Sequence, residues 1–551
     1  MKTRNWIVFF VYLSPLIFYQ FSGFKIDDLS LMGILTGGTS FLCIFSLTQS
    51  NRRLALLVLL PLVFISFLFN ALYFKITRTP LNTLEFIRLM QERGFVGSFL
   101  KFYFQEILMA TLLASLIVSV LFLLSRWKKQ SHWSLKKISL IWTMAILINV
   151  TWFIRSQGSV SGLQLWPASL PSHIIAYYFD RMILHSSPDL PREDVRVKPI
   201  VDGIENIVLI IDESIRGDII DVNSQEGVQS ALKLEDPRVS NFGLASSFSN
   251  CSAASNESFH FLVRQKHFVE DRWTHPSLWQ FAKAAGYESI YIDSQRTKGE
   301  PHAEMSVLEK KHIDILLLPS ADEVSVVQRD AWASKKLIEF LHKPGKHFIY
   351  VNKMGAHFPY EGKYPESAAL YLPHLKENNS GITESQSYGN NFGSIEFKNS
   401  YRNAVSWNLT QFFVPILQQN LANTLIFYTS DHGQNLDRSI DGRQLTHCTY
   451  RDAPRAEGIV PLLTLTGDSS WQHNLQLAAK AHFNQATHFN VPPTLLLAMG
   501  YPEQKTMDAT IFEKKLYEQM FSSGYFLSFG AHPIWRQICV SCGNERLAQD
   551  Y

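Results

Sequence analysis

Asp431 and His432 stand side by side at the end of the run Leu425-Ile-Phe-Tyr-Thr-Ser, with Gly433 next. A carboxylate beside an imidazole offers one oxygen and one nitrogen, a donor pair suited to a borderline metal such as zinc. The stretch 425–428 is continuously apolar, as expected of a parallel strand buried on both faces. Open α/β sheets bind their ligands beyond the carboxyl ends of such strands. An Asp-His pair can equally be a helix cap and a turn residue, so its meaning depends on what other strand ends bring to it.

Other strand ends bring similar groups. The apolar run 207–211 leads into Asp212-Glu213-Ser214, and the run 348–351 leads into Asn352-Lys-Met-Gly-Ala-His357. His447 lies in a loop shortly before the run 460–465. Taken singly, Glu213 reads as a cap-region carboxylate and His357 as a loop histidine. Acid or imidazole groups at three strand ends and in one loop point together to a metal site.

The elements that must position them are legible as texture. From residue 205 onward, apolar runs at 207–211, 289–292, 313–318, 348–351, 425–428 and 460–465 alternate with helical patterns at 276–285, 330–342 and 401–419. Strand and helix in alternation predict an α/β domain, residues 201–551, with a mainly parallel central sheet.

The chain has 551 residues, too many for one ordinary domain, and combines 46% hydrophobic with only 18% charged residues. A net charge of +3 gives no reason to expect a nucleic-acid partner. The apolar excess is concentrated in the first third. Runs at 6–21, 29–47, 54–74, 102–124 and 138–154 are each near the ~20 residues that cross a bilayer, which predicts a five-span helical membrane bundle over residues 1–155. Lys2, Arg4, Arg52, Arg53, Arg126, Lys128, Lys129, Lys136 and Lys137 fall on one side of those spans. The positive-inside rule makes that side cytoplasmic and places everything after the fifth span outside. Residues 156–200 read as a proline-containing connector, with 173–184 either an interfacial helix or a plain link. The loop 75–101, with Phe86, Phe95 and Phe99, is a second candidate for a lipid-facing wall.

Cysteines are few. Cys43 lies in a span, Cys251 and Cys448 flank candidate site residues, and Cys539-Val-Ser-Cys542 reads as a local disulfide rather than half a zinc knuckle.

Five spans followed by an outer α/β domain resemble the bacterial phosphoethanolamine transferases of the alkaline phosphatase/sulfatase superfamily, some of which modify lipid A. Asp212-Glu213-Ser214 is similar to their Gly-Glu-Thr, Ser430-Asp-His-Gly-Gln434 to their Ser-Asp-His-Gly-Glu, and Gly355-Ala-His-Phe-Pro359 to their Gly-Ser-His-Gly-Pro. Leu445-Thr-His-Cys448 resembles their Leu-His-Gly less closely. Laying Cys251-Ser-Ala-Ala-Ser255 on the family's Cys-Gly-Thr-x-Thr implies Ser255 as the nucleophile, with Ser252 the runner-up. Two departures stand out: Phe261 replaces the family's second cysteine, and Gln434 replaces its glutamate.

The resemblance implies an enzyme holding one zinc ion, or two, through Glu213, Asp431 and His432, with His357 and His447 serving the phosphoryl group, a second metal or the leaving group. It implies transfer of phosphoethanolamine from a phospholipid donor, phosphatidylethanolamine, to lipid A, the LPS core or another envelope glycan, through a phosphoserine intermediate in the bacterial inner membrane. A phosphoglycerol transferase using phosphatidylglycerol is the nearest alternative. A sulfatase-like hydrolase is disfavoured, because neither Cys251 nor Ser255 is followed by the x-Pro-x-Arg that formylglycine formation needs. A membrane scaffold with a relic fold would have no need of Glu213, Asp431 and His432 together.

Overall fold

The computed structural model describes residues 5–13, 31–49, 53–77, 81–83, 86, 90, 103–126, 133–155, 167–179, 192–297, 307–376, 391–437, 445–449, 453–503, 509–523 and 533–538. Cys539 and Cys542, Phe95 and Phe99, and part of the run at 6–21 lie outside these residues.

Residues 5–13 are helical, and four long helices follow: α1 (Leu31–Gln49), α2 (Arg53–Thr77), α3 (Phe104–Arg126) and α4 (Leu135–Arg155). Among the described residues, three helical segments are long and apolar enough to cross a membrane: Leu56–Lys75, Phe104–Arg126 and Leu135–Ile154. Ala110 and Ala114 of α3, small enough for close approach, are buried with Val63 and Phe67 of α2 and Trp142 of α4. The outward side is aliphatic too, with Leu57, Leu112, Leu123 and Leu140 exposed. A helix apolar on every side belongs in lipid.

The short α5 (Ser169–Phe179) has the same character in sharper form. It buries Ser169, Ser172 and His173 and exposes Ile174, Ile175 and Tyr178. The buried hydroxyls take bonds from the bundle: Asn70 Nδ2 donates to Ser169 Oγ at 2.9 Å, and Asn149 Nδ2 donates to Ser172 Oγ at 3.2 Å. Polar groups turned to neighbouring helices and aliphatics turned outward are the arrangement lipid favours. Phe86, expected on a lipid-facing wall, instead stacks on the buried His173 and is itself buried.

The α/β domain is organised by a seven-stranded sheet, order β2-β7-β6-β1-β5-β3-β4. Its elements in chain order are β1 (Asn206–Asp212), β2 (Val239–Ser246), α6 (Ser252–His260), α7 (Leu278–Ala284), β3 (Glu288–Asp293), β4 (Ile315–Leu317), α8 (Arg329–Leu341), β5 (His347–Asn352), α9 (Ile395–Leu417), β6 (Thr424–Ser430), β7 (Ile459–Thr466), α10 (Ser469–Ala481) and α11 (Val491–Ala498). β6, β1, β5, β3 and β4 pair in parallel, while β7 is antiparallel to both β6 and β2. Along β1, Ile207, Leu209 and Ile211 enter one core with residues of α6, α7 and α11, and Val208 and Ile210 enter the other with residues of α8 and α9. Helices cover both faces, so β1 is apolar at every position from 207 to 211 rather than at alternate ones. The expected α/β domain is present; β2, with its Ser, Asn and Gly, is a strand the apolar-run criterion passes over.

The two parts meet at the carboxyl end of the sheet. Tyr103, just before α3, is buried in the core that holds Phe358, Tyr360 and Tyr364, with Leu72 of α2 and Ile107 of α3 packed against it. The C-terminus of α2 and the N-terminus of α3 therefore face the α/β domain. At the other end of the bundle, Trp133 N donates to Gln49 O at 3.3 Å, setting the start of α4 beside the end of α1. Arg126, Lys136 and Lys137 are at that far end.

Candidate metal centre

β1 and β6 are neighbours in register, Asp212 opposite Ser430, so the residues that follow them emerge together. Glu213, Asp431 and His432 are all buried and each offers a ligand atom, these atoms lying within 4.8 Å of one another. Main-chain amides lock the two loops: Asp431 N donates to Asp212 O at 2.9 Å, and Ser214 N donates to the Asp431 side-chain Oδ1 at 3.0 Å. Ser214 sits at φ 61°, a left-handed conformation costly for a residue with a Cβ and frequent at functional sites.

The donor atoms are aimed. His432 Nδ1 faces the Gly433 carbonyl at 2.7 Å, and a carbonyl only accepts, so the proton is on Nδ1 and the Nε2 lone pair faces the group. Nε2 lies 3.5 Å from Glu213 Oε1 and 3.4 Å from Asp431 Oδ2. Ligand atoms about 2.1 Å from a tetrahedral metal would stand ~3.4 Å apart. Asp431 Oδ2 is buried without a hydrogen-bond partner, while Oδ1 accepts from Ser214 N and His432 N. An orphaned carboxylate oxygen converging with an imidazole lone pair and a second carboxylate fits a divalent cation.

The hydroxyl beside this group belongs to Ser252, not Ser255. Ser252 Oγ is 3.0 Å from His432 Nε2 and 3.4 Å from Glu213 Oε1. Ser255, one turn further along α6, instead donates to the Asp431 main-chain carbonyl at 2.5 Å. The Ser255 hydroxyl thus clamps the Asp431 loop, while Ser252, the runner-up in the family alignment, is the first residue of α6, where the amides of the first turn and the helix dipole favour negative charge.

His447 joins the group from the far loop, its ring stacked on that of His432 at 4.3 Å. A disulfide from Cys251 to Cys448 ties its loop to the start of α6, and Cys448 N donates to Asn250 O at 2.8 Å. His357 is not in the group of three; it is half-buried, with Nδ1 donating to the Phe358 carbonyl at 2.7 Å. Gln434 is fully buried, its amide oxygen accepting from the Tyr360 hydroxyl and its nitrogen donating to the carbonyls of Gly433 and Thr446. A carboxylate there would confront those two carbonyls, so the neutral amide suits this loop.

Beneath the candidate ligands lies a network that also draws on residues at strand ends. Lys353, directly after β5 and fully buried, bonds Asp212 Oδ2 at 2.6 Å and lies 3.4 Å from Asp330 Oδ2. Burial pushes the Asp212 carboxyl up, and the Lys353 charge pulls it back. Asp330, in the first turn of α8, accepts from the amides of Met354 and Gly355. Gly355 has φ +49°, and a Cβ there would come within 2.3 Å of Asp212 Oδ1. Gln295, just beyond β3, donates through Nε2 to Glu213 Oε2 at 3.0 Å and to the Lys353 carbonyl at 2.9 Å. Both residues follow apolar runs, as Glu213 and Asp431 do.

Residues 205–501, more than half of the chain, match the Sulfatase family model. Over 166 residues the chain is 30% identical to the Kdo(2)-lipid A phosphoethanolamine 7''-transferase of Salmonella typhimurium, covering 28% of this chain and 27% of that protein. Over 289 residues it is 24% identical to phosphoethanolamine transferase EptC of Escherichia coli, covering 49% and 48%. These alignments span less than half of either relative's length. The integral membrane lipooligosaccharide phosphoethanolamine transferase A of Neisseria meningitidis superposes with a TM-score of 0.60 at 15% identity, over 92% of this chain and 97% of that one. That likeness of fold takes in the helical bundle as well as the α/β domain. With the family match running through both strands that carry Glu213, Asp431 and His432, the chain belongs to the Sulfatase family.

Proposed function

We propose that this chain is a zinc-dependent phosphoethanolamine transferase of a bacterial inner membrane. It would move the headgroup from phosphatidylethanolamine to lipid A, the LPS core or another outer-face glycan. The observation that carries this reading is Ser252: a hydroxyl at a helix N-terminus, among three converging donor groups, in a chain anchored by apolar helices. The similarity to named phosphoethanolamine transferases supports the headgroup. Zinc held by Glu213, Asp431 and His432 would lower the pKa of an oxygen ligand and offset phosphoryl charge.

In the proposed two-step displacement, Ser252 Oγ attacks phosphorus and the bond to the diacylglycerol oxygen breaks, that oxygen leaving with a proton. Phospho-Ser252 is then attacked by an acceptor phosphate or hydroxyl, and the serine recovers its proton. The first-turn amides of α6 favour the phosphoryl charge throughout. His447 and His357 are proposed to bind the phosphoryl oxygens, hold a second metal or protonate the leaving group. Five spans over 1–155, a connector over 156–200 and a periplasmic domain over 201–551 complete the proposal, with the basic bundle end cytoplasmic.

Mass spectrometry of the full chain mixed with defined phospholipids tests it. A phosphoethanolamine adduct is expected on Ser252, lost in Ser252→Ala and kept in Ser255→Ala. An adduct on Ser255 would return the nucleophile to that residue, and a glycerophosphate adduct would make phosphatidylglycerol the donor. With no adduct on either serine, the covalent mechanism falls. Lipid and glycan profiling of a deletion strain identifies the acceptor.

A further inference from the structure

The segment between Tyr364 and Leu375 follows the expected site residue His357 and carries two leucines turned outward. Leu370 is 65% exposed and Leu372 is 69% exposed, while Tyr371 between them turns back to the core, with the Arg402 guanidinium 4.3 Å from its ring. Ile395, at the start of α9, is 56% exposed. Single exposed aliphatics need no explanation. Here the scaffold holding them does.

Three buried polar side chains of α9 fix this backbone. Asn403 Oδ1 accepts from both Leu370 N and Tyr371 N at 2.8 Å, and its Nδ2 donates to Tyr371 O at 3.0 Å. Ser400 Oγ accepts from Leu375 N at 2.8 Å, and Asn399 Nδ2 donates to Pro373 O at 2.9 Å. The leucines are thus presented by a rigid strap rather than left on a loose loop. In water, that rigidity gains nothing, because each exposed leucine would bury surface worth about 1.5–3 kcal/mol if it could.

Position supplies the occupant. The strap leaves the segment whose Tyr360 and Tyr364 share a core with Tyr103, at the bundle end that faces the α/β domain. α9 is oriented so that its start, where Ile395 sits, lies at the same end of the sheet as the candidate site. The bundle and the outward face of α5 already turn aliphatics outward. We propose that Leu370 and Leu372, with Ile395, form a second lipid contact: an apolar edge of the α/β domain that dips into the bilayer surface its own helices span. Tyr371 and Arg402 behind the leucines are side chains suited to the headgroup layer. This inference needs the membrane anchoring alone and makes no use of the proposed reaction.

The test places p-benzoylphenylalanine at position 370, 372, 175 or 477 of the full chain, reconstituted in vesicles of phosphatidylcholine, a lipid with no part in the proposed reaction. Position 175 is on the outward face of α5, and Leu477 is an exposed leucine of α10 at the amino end of the sheet. After irradiation, peptides bearing 370, 372 and 175 should shift by the mass of a phospholipid, and the peptide bearing 477 should not. A shift at 175 alone would overturn the proposal, as would crosslinks from 370 and 372 to a protein or to a second copy of the chain. If the label disturbs the strap at one leucine, the other still decides.

Discussion

The two ends of the central sheet treat charge in opposite ways. At the amino end, Asp202, Glu205 and Asp468 line an open groove of about 1140 Å³ beside Trp471 and Phe512, and Lys346 meets the 98%-exposed Asp202 at 3.0 Å in solvent. At the carboxyl end, Asp212, Glu213, Asp330, Lys353, Asp431 and His432 are all buried. The same strands run between them, so the fold alone does not decide where ionisable groups are hidden. Charges at the wet end are screened and individually worth little. Those at the dry end persist because Lys353, Gln295 and main-chain amides meet most of their valences, leaving one carboxylate oxygen, Asp431 Oδ2, with no protein partner.

The comparison breaks first at Lys353. Lys353→Met would leave Asp212 and Asp330 buried without their cation, and the expected loss is about 3–5 kcal/mol by denaturant unfolding. A loss no larger than that of a surface lysine would mean that water reaches the network. Next comes the metal. If the proposed zinc is bound at ~1,000 times its dissociation constant, removing it should lower stability by about 4 kcal/mol, read as a drop in Tm on chelation. In Asp431→Ala the chelator should have no effect; an undiminished drop would place the ion elsewhere.

Acid sharpens the contrast. His488 bonds Phe248 N and Thr429 Oγ1 beneath the candidate site, and burial pushes its imidazole down to about 3. The unfolded chain takes up a proton near pH 6.5 that the folded chain refuses. This residue's contribution is therefore complete above pH 6.5 and is lost as pH falls toward 3, with a slope of up to ~1.4 kcal/mol per pH unit. His488→Asn should flatten that part of the stability profile. The smallest effect belongs to the wet end, where Asp468 Oδ1 caps α10 by accepting from Ser470 N and Trp471 N. Asp468→Ala should cost about 1 kcal/mol, and activity should be unchanged.

Much of this is legible in the sequence. β1, β5, β6 and β7 announce themselves because both sheet faces are covered, making their residues apolar without alternation. Glu213, Asp431 and His432 could be found because a strand end is a place as well as a residue type. Ser252 and Ser255 could not be separated in that way. Both are hydroxyls near the start of one helix, about a turn apart, and only the placement of α6 decides which one faces His432. Lys353 and Gln295 do follow apolar runs, but their partners lie on neighbouring strands, and Cys251 finds Cys448 at a separation of 197 residues, so the pairings themselves leave no local pattern. β2 was missed because a strand pinned to β7 along one edge does not need a fully apolar sequence.

That disulfide also orders events in time. Cys251 is synthesised 197 residues ahead of Cys448, and β6, with Asp431 and His432, lies between them. A chain still being made carries Glu213 and the Ser252 hydroxyl long before Asp431 and His432, the other two donor groups of the candidate site. The crosslink closes behind the last of those groups, so reactivity arrives only after β6 and the loop that follows it have been made.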